Sequence, residues 1–320
     1  VSPINTLLLN ALVPVFFGLL LGYYAGRRGR VDNRNVAALN NTLMHFVLPS
    51  SLFLAMSRTP ATVLRSQAVL LGVLAAGMVI TYLIMFFCER KLFGMPPRES
   101  SIQALTVSFA NNVAVGLPLL ASLYGATGTL SVTAAIIVGV LVVSPITLVI
   151  LECNVVGDVP NTQPLSQQIV RAISLTLRRP VILAPLCGLI FPLLGHTLPP
   201  IAVLSLDLVG KATIGLALFL TGLILSAQAL RFSGSVLCGV LLKNVGQPAI
   251  LFGLILLFHL HGEVARGAFL LAAVPAGFFG TVFGARYGVS SRDVSSTLVL
   301  STLLSAVTIP IAVALSVYLP

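Results

Sequence analysis

Phe109-Ala110-Asn111-Asn112-Val113-Ala114-Val115-Gly116-Leu117-Pro118 and Ala272-Ala273-Val274-Pro275-Ala276-Gly277-Phe278-Phe279-Gly280 decide how this chain reads. Each places Gly and Pro inside an apolar stretch long enough to cross a bilayer. The two sit in corresponding parts of the chain, because Tyr124-Gly125 follows the first and Tyr287-Gly288 follows the second. Paired interruptions of this kind are the best sequence-level pointer to the binding site of a carrier.

The surrounding composition agrees. The chain is 57% hydrophobic and only 8% charged, with a mean hydropathy of +1.06, whereas about 25% of residues in a soluble domain are charged. Residues 100–151 and 180–206 contain no Asp, Glu, Lys or Arg. A membrane helix needs about 20 mostly apolar residues, so these runs are spans. Ten are expected, at 5–26, 36–57, 66–88, 99–124, 128–151, 180–196, 201–226, 234–258, 263–286 and 293–318. The organisation is a five-helix unit over 1–151, a cytoplasmic linker over 152–179, and a second five-helix unit over 180–320. Within the linker, Ile169, Ile173 and Leu177 recur at helical spacing beside Arg171, Arg178 and Arg179, which suits a short amphipathic helix on the membrane surface.

The 18 Lys and Arg against 8 Asp and Glu do not point to nucleic acid, since the basic residues lie almost entirely between spans. Arg27, Arg28, Arg30, Arg34, Arg90, Lys91, Arg98, Arg171, Arg178, Arg179, Arg231, Arg286 and Arg292 fall on one side, and only Arg58, Arg65 and Arg266 on the other. The positive-inside rule puts the first set in the cytoplasm and both termini outside, in a multi-pass protein of the cell membrane. The four cysteines show no pairing or ligand spacing and read as packing residues. His259 and His261 lack a third ligand, so no metal site is proposed. No hydrolase elbow, phosphate loop, dinucleotide fingerprint or HExxH occurs, so nothing suggests an enzyme, and no cofactor is expected.

The halves echo each other beyond the breaks: Pro145-Ile146 follows Tyr124, and Pro310-Ile311 follows Tyr287 at a similar distance. An odd number of spans per half inverts the second copy, the architecture of many secondary transporters. Asn111, Asn112 and Pro275 all lie about 18 Å into their spans at ~1.5 Å per residue, near the middle of a core ~30 Å thick. Proline removes a backbone donor and clashes with the carbonyl four residues back, which is Ala114 for Pro118 and Leu271 for Pro275. Freed backbone at that depth must be buried in protein or line a wet cavity. The half-helix after each break carries a partial positive charge at its start, which suits an anion. The substrate-binding candidates are Asn111, Asn112, Gly116, Pro118, Pro275, Gly277 and Lys243.

Ionisable groups inside spans are functional candidates by default. Lys211 stands one turn after Asp207, at a spacing that also permits an ion pair. Lys243 has no acid in its own span and sits beside Asn244, Gln247 and Pro248. His45, near Asn40 and Asn41 on one helix face, either titrates near neutral pH or packs as a hydrogen-bonded residue. Lys243, Lys211, Asp207 and His45 are the coupling candidates, with proton and sodium coupling both open.

Taken in order, Leu43-Met44-His45-Phe46-Val47-Leu48-Pro49, the Asn111-Asn112 to Pro118 break, Lys211 with Ala217-Leu218-Phe219-Leu220-Thr221-Gly222, Leu242-Lys243 with Pro248, and Pro275 before Tyr287-Gly288-Val289 resemble the auxin efflux carrier family. The likeness is to its prokaryotic branch, which includes malonate transporters, and covers nearly the whole chain. It implies an all-α fold of two inverted five-helix repeats, with broken helices 4 and 9 crossing. It also implies a scaffold of spans 1, 2, 6 and 7, often homodimeric, and a mobile bundle of spans 3–5 and 8–10 moving as an elevator. The expected substrate is a small organic anion such as malonate. The alternative is sodium-coupled symport of a bulkier acid, as in the bile acid symporters. The chain lacks the long central loop of the plant carriers, and its third span, drawn as 66–88, holds no acid.

Overall fold

The computed structural model describes residues 3–31, 36–58, 68–154, 180–227, 230–289 and 292–319, with isolated positions between 167 and 178. The expected surface helix of the linker lies mostly outside these. The described residues form helices and no strand: α1 (Pro3–Arg27), α2 (Val36–Thr42), α3 (Leu48–Ser57), α4 (Ala68–Lys91), α5 (Pro97–Ser108), α6 (Leu117–Val138), α7 (Ser144–Cys153), α8 (Pro180–Leu193), α9 (Pro200–Gly210), α10 (Ala212–Ser226), α11 (Gly234–Leu241), α12 (Gln247–Leu257), α13 (Gly262–Ala273), α14 (Phe279–Arg286) and α15 (Arg292–Ser316). Among them, five continuous stretches are long and apolar enough to cross a membrane: Ala68–Lys91, Asn112–Leu151, Pro200–Ser226, Gly234–Leu257 and Arg292–Ser316. The second of these contains a turn at Gly125, whose φ of 55° and ψ of −124° are open only to glycine.

Proline shapes four of the junctions in the same way. Pro49, Pro118, Pro145 and Pro248 each stand second in an α-helix that follows a π turn, at Leu43–Val47, Asn112–Gly116, Gly139–Val143 and Leu242–Gly246. In each, the residue before the proline donates five residues back rather than four. The wider turn accommodates a ring that would otherwise strike the carbonyl of the preceding turn. Pro118 therefore widens its helix without severing it.

Polarity runs inside out. On α5, Ser100, Ser101, Gln103, Thr106 and Ser108 are buried, while Phe17, Leu204, Leu208, Leu257 and Leu303 point outward. A soluble domain has the opposite arrangement; outward leucines over polar interiors suit a lipid surround. Glycine sets the closest helix contact. A Cβ on Gly22 of α1 would lie 2.0 Å from the Phe219 carbonyl oxygen of α10, and one on Gly222 would lie 1.9 Å from that of Leu19. Small residues let membrane helices approach this closely. Similarly, α3 meets α8, where Gly188 faces the Phe53 carbonyl and Phe53 meets the Phe191 ring edge to face at 5.8 Å.

One boundary needs correction. The third span was drawn to end at 88, but α4 runs on to Lys91 and so includes Glu89, which is buried.

Candidate functional site

Both helices break near the expected positions, for different reasons. α5 ends at Ser108, and Phe109 and Asn111 leave helical geometry. The Asn111 Oδ1 then accepts the Ala114 N–H at 3.3 Å, starting a new helix in the manner of an N-cap asparagine. The break thus belongs to Asn111 and not to Pro118. α13 ends at Ala273 because Val274 precedes a proline, which drives it to φ −61° and ψ 139°.

The breaks meet. Ala110 and Ala276 pair as an isolated antiparallel bridge. The Asn111 N–H donates to the Pro275 carbonyl at 2.9 Å, and the Gly277 N–H to the Thr106 carbonyl at 3.0 Å. Gly277 permits this approach, since a Cβ there would lie 2.0 Å from the Phe109 carbonyl oxygen. Phe109 stacks on Phe279 with centroids 4.5 Å apart, and Phe278 on Phe279 at 5.0 Å.

Much of the backbone freed by the breaks is paired within the crossing, the first of the two fates expected for it. At the end of α13, the donor for Leu271 is missing because it is Pro275. The donor for Ala272, the Ala276 N–H, goes to Ser301 Oγ at 3.0 Å. The donor for Ala273, that of Gly277, goes to Thr106. At the end of α5, the Asn112 N–H that would serve Ser108 turns to the Ala110 carbonyl at 2.7 Å.

The side chains that answer these losses come from the π turn after α11 and from α12 and α15. Lys243, 0% exposed, donates from Nζ to the Ala272 carbonyl at 2.8 Å and to Gln247 Oε1. Gln247 Nε2 donates to the Ser108 carbonyl at 2.8 Å. Asn244 Nδ2 donates to the Ser301 carbonyl at 3.1 Å, and Ser301 Oγ donates back to Asn244 Oδ1 at 2.7 Å.

Asn40, Arg98, Gln103, Arg266 and Asp293 each hold one buried side-chain atom without a hydrogen-bond partner among the described residues, but at the breaks themselves such atoms are in the two asparagines. Asn111 Nδ2 and both polar atoms of the Asn112 side chain have no partner, with each residue 1% exposed. A buried polar group without a partner costs roughly 1–3 kcal/mol. Gly116 lies one turn on, where a Cβ would sit 3.5 Å from Asn112 Oδ1, and Pro118 is half-buried beyond it.

The crossing thus gathers Asn111, Asn112, Pro275 and Gly277, with Gly116 and Pro118 further along one half-helix and Lys243 reaching it from α11's end. The other candidates stand apart. Lys211 and Asp207 pair at 2.7 Å with side chains 75% and 35% exposed, and His45 is exposed, its Nδ1–H on the Asn41 carbonyl at 3.0 Å. Sequence reasoning missed Ser301, one of several Ser and Thr residues along α15 that nothing singles out, and Glu89, whose carboxylate accepts from Ser235 Oγ at 2.6 Å.

Apolar helices around a polar interior, two of them broken and crossing at buried amides, define an integral membrane transporter. The sequence pattern of the family described as "Membrane transport protein" matches residues 7–313, and the chain belongs to that family. It is similar to the uncharacterized transporter YfdV of Escherichia coli strain K12, at 28% identity over 309 residues and 96% of each chain. It is also similar to auxin efflux carrier component 5 of Arabidopsis thaliana, at 24% identity, covering 96% of this chain and 95% of that one. A third likeness is to the lysosomal cholesterol signaling protein of Mus musculus, at 25% identity over 94% of this chain and 36% of that protein. The chain is a multi-pass membrane transporter and not an enzyme.

Proposed function

We propose that this protein carries a small organic anion, malonate or a related carboxylate, across the cell membrane, holding its carboxylate at the crossing. The observation that carries this reading is the set of unpaired amide groups on Asn111 and Asn112. They are buried at the start of a half-helix whose partial positive charge favours an anion. A bound carboxylate accepts from both Nδ2 groups and relieves the cost of leaving them unpaired.

Helix pairing supports two inverted repeats of five. The first span packs on the seventh (α1 on α10) and the second on the sixth (α3 on α8). Likewise α5 packs on α14, and α13 on α6. Exchanging halves maps each of these contacts onto its counterpart. The strongest of these pairings, α1 on α10 and α3 on α8, support a scaffold of spans 1, 2, 6 and 7 beside a bundle carrying both breaks, the division an elevator needs. The Asp207–Lys211 pair supports a homodimer through that scaffold, because it lies on an outward face with Ile201, Leu204 and Leu208, and charge facing lipid within a span is costly.

Uptake of labelled malonate by proteoliposomes tests the reading. Losing a hydrogen bond to a charged group costs about 1.5–3 kcal/mol, so Asn112→Ala should lower uptake at limiting substrate by roughly 10–100-fold. Equal uptake by the two proteins overturns the site.

A further inference from the structure

The two half-helices that enter the crossing from opposite sides, α5 and α13, both end there. Each brings the negative end of its dipole and carbonyls without in-helix donors to the same place. In carriers with broken helices, half-helix C-terminal ends and unwound carbonyls coordinate the coupling sodium ion or proton. Here the place is taken. Lys243 Nζ bonds the Ala272 carbonyl of α13, and through Gln247 it is linked to the Ser108 carbonyl of α5.

We propose that the Lys243 ammonium is a tethered cation standing where a coupling cation would bind, so that this carrier works without sodium. Both protein partners of Nζ are acceptor oxygens, Ala272 O and Gln247 Oε1, a pair that an amine or an ammonium can serve as donor; what favours the ammonium is the negative ends of α5 and α13 that meet there. No carboxylate pairs with it among the described residues; the helix ends supply the negative potential instead. Full burial leaves no room for the ammonium to reach water. The Gln247 amide serves as the relay, its oxygen on the ammonium and its nitrogen on α5, so one charge joins both chain ends. A mobile ion would leave the crossing unbalanced whenever it departed, whereas a side chain keeps it balanced in every state of the bundle. The inference rests on reading the crossing as the carrier's working site.

The test uses the full-length protein purified in detergent, without any organic anion, so its failure leaves the anion reading standing. Thermal unfolding is measured in sodium, potassium, methylammonium and choline chloride, and binding of radiolabelled sodium is measured alongside. Wild type should unfold at the same midpoint in all four salts and bind no sodium. Lys243→Ala should unfold earlier and be raised by ~3 °C or more by sodium or methylammonium, small cations that refill the site, the size expected for ligand linkage in a chain of this length. Choline should not raise it. Lys243→Met, which fills the stem volume without a donor, should unfold earlier than wild type and ignore every cation. Saturable sodium binding by wild type, a Lys243→Met midpoint equal to wild type, or a Lys243→Ala midpoint indifferent to all four salts overturns the proposal.

Discussion

The backbone N–H of Asn111 donates to the carbonyl of Pro275 at 2.9 Å, joining two breaks that lie in opposite halves of the chain. Neither break would be stable alone, since each exposes main-chain groups at a depth where lipid offers no partner. Each break therefore satisfies part of the other, and the crossing folds as one unit.

Gly277→Ala should dismantle that unit. The added Cβ would meet the Phe109 carbonyl oxygen at 2.0 Å, and this is backbone that no rotamer change can move. The expected loss is at least ~3 kcal/mol, read as a lowered unfolding midpoint by far-UV circular dichroism in detergent. Gly72→Ala, where a Cβ meets nothing within 4 Å, should leave the midpoint unchanged or slightly raised.

Ser301 holds two groups at once, accepting the Ala276 N–H and donating to Asn244 Oδ1. Ser301→Ala leaves both buried without these partners, at roughly 1–3 kcal/mol per group. The same thermal measurement should show destabilisation of more than one such group. A change no larger than that of a single lost hydrogen bond would mean the network rearranges.

The contact between α1 and α10 depends on hydrogen-sized side chains. Gly22→Val should separate the helices, because the Phe219 carbonyl oxygen occupies the space its Cβ needs. Overpacking of this kind costs about 3 kcal/mol. Detergent-solubilised variant protein should aggregate or unfold at lower temperature than wild type.

The exposed Asp207–Lys211 pair gives a different readout. An exposed pair contributes little to the fold of a single chain, about 1 kcal/mol at most. Asp207→Arg should therefore change the unfolding midpoint little, while the proposed homodimer through this face predicts that like charges there lower the particle mass from dimer to monomer in light scattering after gel filtration.

The apolar runs made the helices legible from the sequence, because spans of this length have few competing solutions. The positions of the breaks were legible as well, at Asn111 and at Pro275. Their cause was only half legible. Proline explains the end of α13 through its effect on Val274, but Pro118 marks a π turn, and the first break is made by a capping asparagine. The partners of the freed backbone were not legible. Ser301, Thr106 and Ser108 meet the crossing only after the halves fold together, and nothing in their local sequence sets them apart. Glu89 fell one residue beyond the third span as drawn, 66–88, whereas the Ser235 hydroxyl receives it inside the fold.

Thermal titration of malonate against wild type and Asn112→Ala tests the central claim most directly. The Asn112 amide has no protein partner to lose, so without ligand the variant should be as stable as wild type or slightly more so. Malonate should raise the wild-type midpoint and leave the variant's unmoved. A variant destabilised without ligand yet still raised by malonate would contradict the account, making Asn112 a structural residue and placing the carboxylate elsewhere.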